Sequence, residues 1–290
     1  TRTRDFPLVD CHCDTIVEIA DGKGSLADRT DLGHVDIPRL LKAKVSVQFF
    51  ALYIGEEYKP LAPLQRTLEL VDVFYQELSK NSPQLELIKE YSDIEAIRKK
   101  GKIGAFLTVE GGEGIQESLY LLRILYKLGV RGMTLTWNQR NAIDDGAWEG
   151  PDGGLSNFGR QVVDEMNNLG MLIDVSHINR AGFFDVVRCS AKPVIASHSN
   201  ARSLCDHPRN LDDEQLKRLA DRGGVTGINF VPEFLVADGK TADIEAVADH
   251  IDYIKSLIGV DYIGIGSDFD GTECLPKGLE GVSKLPDLIA

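Results

Sequence analysis

Several residues that could bind metal or move protons stand where short hydrophobic runs of this chain end. His12 and Asp14 follow residues 6–11, Glu110 follows 102–109, His177 ends the stretch Asp174-Val-Ser-His, and His198 lies in Ser197-His-Ser-Asn. Asp268 and Asp270 close the last run, and Trp137-Asn138 follow residues 132–136. Imidazoles mixed with carboxylates, and no thiolate among them, suit zinc, with manganese or iron as alternatives. Taken singly, each has an ordinary explanation: a strand-end histidine is usually just hydrogen-bonded, and an aspartate there often caps the next helix. Together they form a donor set large enough for two sub-sites, His12 with Asp14 and His177 with His198. Glu110 can bridge them through its two oxygens. Two ions held that way can share a hydroxide and polarise a carbonyl. Asp268 is then left as the candidate proton shuttle.

A rim of this kind needs elements that bring distant residues to one end. Eight β-branched, apolar runs recur along the chain, at 7–12, 44–53, 102–109, 132–136, 171–176, 193–197, 224–230 and 262–267. Amphipathic stretches at helical spacing lie between most of them, as at 64–78, 118–128, 158–168 and 212–222. Asp212 reads as an N-cap; Gly129, Gly170 and Gly223 read as helix ends. Strands alternating with helices make parallel βαβ units, and eight units make a (β/α)8 barrel, an α/β fold in which function sits at the C-terminal strand ends. A doubly wound sheet is the competitor, but no Gly-x-Gly-x-x-Gly follows the first run. The Gly-, Asp- and Asn-rich segment 142–158 reads as an active-site loop. Cys11 and Cys13 are expected to share the face opposite His12 and Asp14, as structural thiols.

Bulk composition narrows the function classes. The chain has 290 residues, 43% of them hydrophobic, and a net charge of -13 from 45 acidic and 32 basic side chains. That suits one domain over 1–290 and offers no basic patch for nucleic acid. Five cysteines without a repeating spacing fit a reducing, cytoplasmic setting. No apolar run is long enough for a membrane anchor, and the first residue, Thr1, opens no signal-peptide pattern.

The motifs His12-x-Asp14, Val109-Glu110-Gly111-Gly112, Asp174-Val-Ser-His177, Ser197-His198-Ser199 and Gly266-Ser-Asp268-Phe-Asp270-Gly271 resemble, in order, the signatures of the renal (membrane) dipeptidase family, the M19 metallopeptidases. The resemblance spans nearly the whole chain. It implies an amidohydrolase-like (β/α)8 barrel with two zinc ions on His12, Asp14, Glu110, His177 and His198, Glu110 bridging, and Asp268 as acid/base. It implies that Arg209, in His207-Pro-Arg-Asn210, grips the substrate's terminal carboxylate, a task suited to a planar guanidinium. The implied reaction is hydrolysis of a dipeptide, with tolerance of a D-residue at its C-terminal position. A homodimer and a further C-terminal helical region beyond Ala290 are implied by the resemblance alone. The chain departs from vertebrate-like members of the family where Trp137-Asn138 follow Leu135-Thr136 in place of a histidine, and from some relatives where Val231 stands in place of a tyrosine. Trp137 and Asn138 are therefore expected to shape the substrate side of the site. Hydrolysis of another amide, a lactam or a lactone is the alternative, and a non-catalytic metal-binding scaffold is a weaker one. His34 and His250 are read as structural.

Overall fold

The computed structural model describes residues 7–28, 33–150 and 153–290. Nine strands form one parallel sheet: β1 (Leu8–Asp10), β2 (Val45–Tyr53), β3 (Leu85–Leu87), β4 (Ile103–Glu110), β5 (Gly132–Thr134), β6 (Leu172–Asp174), β7 (Ile195–Ala196), β8 (Val225–Ile228) and β9 (Ile263–Ile265). β1 pairs with both β2 and β9, and β2 pairs with β4, so eight strands close a ring. The expected (β/α)8 barrel is therefore present. The ninth strand, β3, pairs only with the lower half of β4, whose upper half pairs with β5. Three residues are too few for an alternation to stand out, which is why the sequence gives no sign of β3.

Two clusters hold the barrel together. Val9 of β1, Cys11 just past it, and Phe49, Phe106, Leu172 and Ile195 of β2, β4, β6 and β7 pack together inside the ring. The Phe49 and Phe106 rings stack with centroids 4.2 Å apart. Ile88, Ile94 and Ile97, from the loop after β3 and the helix Tyr91–Lys99, join this cluster and plug its lower end. Gly104 leaves room for the plug, since a Cβ there would lie 2.5 Å from Ile88 Cδ1. The larger cluster fills the layer between strands and helices.

Cys11 and Cys13 do not share a face. Cys11 packs inside the barrel, whereas Cys13 is fully buried in the outer layer and gives its thiol to Phe49 O at 3.2 Å. The strict alternation of a strand does not reach them, because β1 ends at Asp10 and its pairing with β2 is already irregular. Asp10 explains the break. Its buried carboxylate accepts the Ser267 N–H, the Ser267 hydroxyl and the Gln48 amide, drawing chain past the ends of β1 and β9 out of the ladder.

Helix boundaries follow the sequence signals. Asp212 accepts the Gln215 N–H at 2.8 Å while the Gln215 side chain returns to the Asp212 N–H, a reciprocal cap. Gly129, Gly170 and Gly223 all adopt positive φ just past their helices. No helix among the described residues is long and apolar enough to cross a membrane.

The segment 142–158, of which residues 151 and 152 lie outside the described residues, is stitched to the barrel mouth. Ala147 N–H reaches His177 O at 2.7 Å, Trp148 N–H reaches Asn138 O at 2.9 Å and Asn179 N–H reaches Asp145 O at 3.0 Å. Within it, the buried Asp144 accepts the Asp145 N–H through one oxygen and leaves the other without a partner. Burial, with Asp145 and Asp185 nearby, pushes the Asp144 carboxyl up to about 7. A carboxyl raised in the fold contributes stability at low pH and loses it as pH climbs from about 4 through about 7. Asp144→Asn keeps the acceptor and stays neutral. It should match the parent only below about pH 4, with a gap that widens from pH 5 to on the order of 2 kcal/mol or more at pH 8. Urea melts at pH 5 and pH 8 check this, and an equal gap at both would contradict it.

Candidate metal centre

Glu110 is the last residue of β4 and is buried at the barrel mouth. Its Oε1 lies 2.8 Å from His177 Nε2 and 3.6 Å from His198 Nε2, and its Oε2 lies 3.4 Å from His12 Nε2. His12 Nε2 is also 3.4 Å from Asp14 Oδ2 and 3.9 Å from Asp268 Oδ1. The structure thus brings together all six residues that the sequence singles out for metal and proton chemistry. Asp14 precedes the helix Thr15–Ala20 but makes no side-chain cap bond, so its carboxylate is free for the site. His177 and Asp268 hold φ at 67° and 62°, a left-handed backbone that costs a non-glycine residue roughly 1–2 kcal/mol. Strain held at such a place is characteristic of functional sites, where packing elsewhere enforces it.

The hydrogen bonds fix the histidine tautomers. His177 Nδ1 faces Asn138 Oδ1 at 2.7 Å, and an amide oxygen can only accept, so Nδ1 carries the proton. His198 Nδ1 faces Ser197 Oγ at 2.7 Å, and that hydroxyl already donates to Asp174 Oδ2 at 2.5 Å, so it accepts from the ring. Both Nε2 atoms then carry lone pairs, and they sit 2.7 Å apart. Two lone pairs at that distance repel unless a cation lies against them. Burial, aided by the positive charge of Arg209, holds His177 well below its ordinary value. Burial lowers His198 too, which keeps both rings neutral and fit to ligate.

The other half of the site is short of positive charge. Burial first, then the Glu110 charge, pushes Asp14 up to about 8 against the pull of His12. Burial would lower His12, but the Glu110 and Asp14 carboxylates outweigh it and hold the imidazole well above its usual value. Burial would raise Glu110, but the charge of the adjacent His12 holds it well below the carboxylate range. His12 Nε2 and Asp14 Oδ1 are buried without a hydrogen-bond partner. The donor atoms of His12, Glu110 and His198 lie within 4.8 Å of one another, as do those of His12, Asp14 and Asp268. Unpartnered ligand atoms of mixed nitrogen and oxygen character, at two overlapping positions, fit divalent ions.

Arg209 is buried, with 3% of its surface exposed, and makes no ion pair among the described residues. Its Nη2 donates to His198 O at 3.2 Å, its Nε has no partner, and the guanidinium lies over the Phe234 ring. Burial brings it down to about 10 despite the pull of Asp268, Glu110 and Asp174. A surface salt bridge is thereby ruled out as its role. The half-buried Trp137 ring lies 5.9 Å from His177, 5.1 Å from Tyr53 and 5.2 Å from Trp148. Asn138 is buried and its amide oxygen is committed to His177. His250 accepts from Ala201 N–H and donates to Leu235 O, and His34 pairs with Asp270, so both are structural.

Sequence reasoning missed the polar residues behind the site. Asp174 accepts from Ser176 N–H, Ser197 N–H, Ser197 Oγ and Thr134 Oγ1, tying the ends of β5, β6 and β7 together. Asn229, at the end of β8, donates Nδ2 to Asp268 Oδ2 at 2.8 Å. Their strand-end positions were the available signal.

A family model described as membrane dipeptidase (peptidase family M19) matches residues 3–290. Solved structures share the fold closely. A metallopeptidase from Rhodobacter sphaeroides, liganded with a phosphinate mimic of the dipeptide L-Ala-D-Ala, is 26% identical with a TM-score of 0.91, over 98% of this chain and 91% of that one. Dipeptidase AC, a metallopeptidase of family M19, is 28% identical with a TM-score of 0.91, over 98% and 90%. An amidohydrolase from Pseudomonas aeruginosa is 25% identical with a TM-score of 0.83, over 98% and 88%. A barrel of the same topology, a match along almost the full length and a buried histidine–carboxylate centre lead to one conclusion: this chain belongs to the membrane dipeptidase family, peptidase family M19, and is a metallo-dipeptidase.

Proposed function

We propose that this metallo-dipeptidase works with two divalent ions, zinc by preference, held by His12, Asp14, Glu110, His177 and His198. The observation that carries this reading is Glu110, one carboxylate within 3.6 Å of three imidazole nitrogens. When bound, such ions lower the pKa of a water molecule toward neutrality and polarise the scissile carbonyl. The chain's own residues do the rest. Arg209 offers its unpaired Nε–H to the dipeptide's terminal carboxylate, in a buried place where a charge-assisted bond is strong. Asp268 takes a proton from the attacking water and delivers it to the leaving amine. Asn229 holds the far oxygen of Asp268, so that Oδ1 faces the site. Asn138 and Ser197 keep His177 and His198 in the ligating tautomer.

The Rhodobacter sphaeroides relative was solved with a mimic of L-Ala-D-Ala. Tolerance of a D-residue at the C-terminal position is accordingly part of the proposal. Trp137 favours a second reading, hydrolysis of a lactam or lactone, because it adds an apolar wall beside His177. All five cysteines are unpaired, which supports a reducing, cytoplasmic setting.

The test strips the protein with chelator, refills it with zinc and assays L,L- and L,D-dipeptides beside lactams and lactones. Metal-dependent release of amino acid is expected; turnover of lactams alone would favour the second reading, and no turnover would contradict both. Arg209→Met should cut kcat/KM on dipeptides about 100-fold, through loss of a buried charge pair. It should also abolish the parent's preference for a dipeptide over its C-terminal amide. A preference that survives would remove Arg209 from the carboxylate site.

A further inference from the structure

A cavity of about 600 Å3 opens beside the metal centre, over the ends of β2, β4 and β5. Glu56, Lys59, Glu113, Glu117, Gln139 and Arg140 are among the residues lining it. Gly112, two residues past Glu110, forms part of its wall, and the wall residue Lys59 places its Nζ 5.4 Å from the Trp137 ring, which lies 5.9 Å from His177. Arg209 stands on the other side of the ring of strands, against His198 after β7 and Phe234 after β8. A dipeptide anchored by its carboxylate at Arg209, with its peptide bond at Glu110, therefore points its N-terminal residue toward this cavity.

The wall has more acceptors than donors. Lys59 is engaged by Glu113 Oε1 at 3.2 Å, and Arg140 by both oxygens of Asp145. Arg140 is thus compensated, whereas Lys59 Nζ has the charge of Glu113 beside it but no hydrogen bond. Glu113 Oε2 and Gln139 Oε1 are buried acceptors with no donor. Glu56 receives only the neutral Gln139 amide, and Glu117 makes no ion pair among the described residues. The faces of Tyr53 and Trp137 already carry one ammonium, that of Lys59, and aromatic faces of this kind attract cations. A ligand group that brings N–H donors and positive charge suits the unpartnered oxygens of Glu113 and Gln139 and the exposed carboxylates of Glu56 and Glu117.

We propose that this cavity receives the side chain of the substrate's N-terminal residue and selects a long cationic one, lysine- or arginine-like. The inference rests on the dipeptidase reading with Arg209 at the carboxylate end. The probes are Lys-Ala, norleucyl-Ala, Glu-Ala and Ala-Ala, assayed with zinc-loaded protein. Lysine and norleucine match in length and differ in the terminal amine. Lys-Ala should exceed norleucyl-Ala in kcat/KM by about 10-fold, the order expected for a charge-assisted hydrogen bond. Glu-Ala should be the poorest of the four. In the double variant Glu56→Gln/Glu117→Gln, both of whose positions are exposed, the Lys-to-norleucine ratio should fall toward one. Hydrolysis with a ratio at or below one in the parent, or a ratio that persists in the double variant, overturns the subsite alone. Failure to hydrolyse any of the four overturns the dipeptidase reading and the subsite with it.

Discussion

Replacing Asp268 by asparagine is expected to lower kcat on dipeptides by about 10²- to 10⁴-fold, the range set by loss of a positioned general acid/base. The substitution keeps shape and removes the proton-carrying oxygen. Asn229 can still donate to the remaining carbonyl oxygen of the new side chain, so the residue stays oriented. The proximity of Asp268 Oδ1 to His12 Nε2, at 3.9 Å, makes metal ligation the competing role. Metal content separates the two. An acid/base residue leaves both ions in place while turnover collapses; a ligand takes one ion with it. Retained metal with retained turnover would remove Asp268 from the mechanism.

Glu110→Ala should have the larger effect still. Glu110 sits against three imidazoles at once, so its removal takes a donor from both sub-sites together. Hydrolysis should fall by more than the about 10³-fold that deletion of a single stabilising group typically costs. Bound metal should drop below one equivalent per chain. By contrast, losing a single-site ligand such as Asp14 should leave the His177–His198 pair able to hold one ion, because both rings keep their tautomers through Asn138 and Ser197. Equal metal loss in Glu110→Ala and Asp14→Ala would show that Glu110 is no bridge.

Much of this site was legible in the sequence because its residues occur at the ends of apolar runs, and a parallel barrel gathers those ends at one mouth. His12, Asp14, Glu110, His177, His198 and Asp268 all meet there. The strand limits were less legible. Runs such as 171–176 shrink to Leu172–Asp174 because the residues beyond leave the ladder to serve the site. His177 turns through a left-handed φ that hydrophobic periodicity cannot show. The same cause misplaces Cys11 relative to Cys13, since alternation stops where β1 stops. The roles of Asp10, Asp174 and Asn229 went unassigned for another reason. A single buried carboxylate or amide leaves no spacing signal, and its value depends on partners far along the chain, as with Asp10 and Ser267. The cavity over β2, β4 and β5 is likewise assembled from three loops distant in sequence.

The proposed chemistry depends on a pair of ions joined through Glu110. Equilibrium titration of the stripped protein with zinc, with dipeptide hydrolysis followed at each point, tests it most directly. Saturation at two equivalents per chain is expected, with full activity reached only as the second ion binds. Full activity at one equivalent, with no second ion bound, would contradict it.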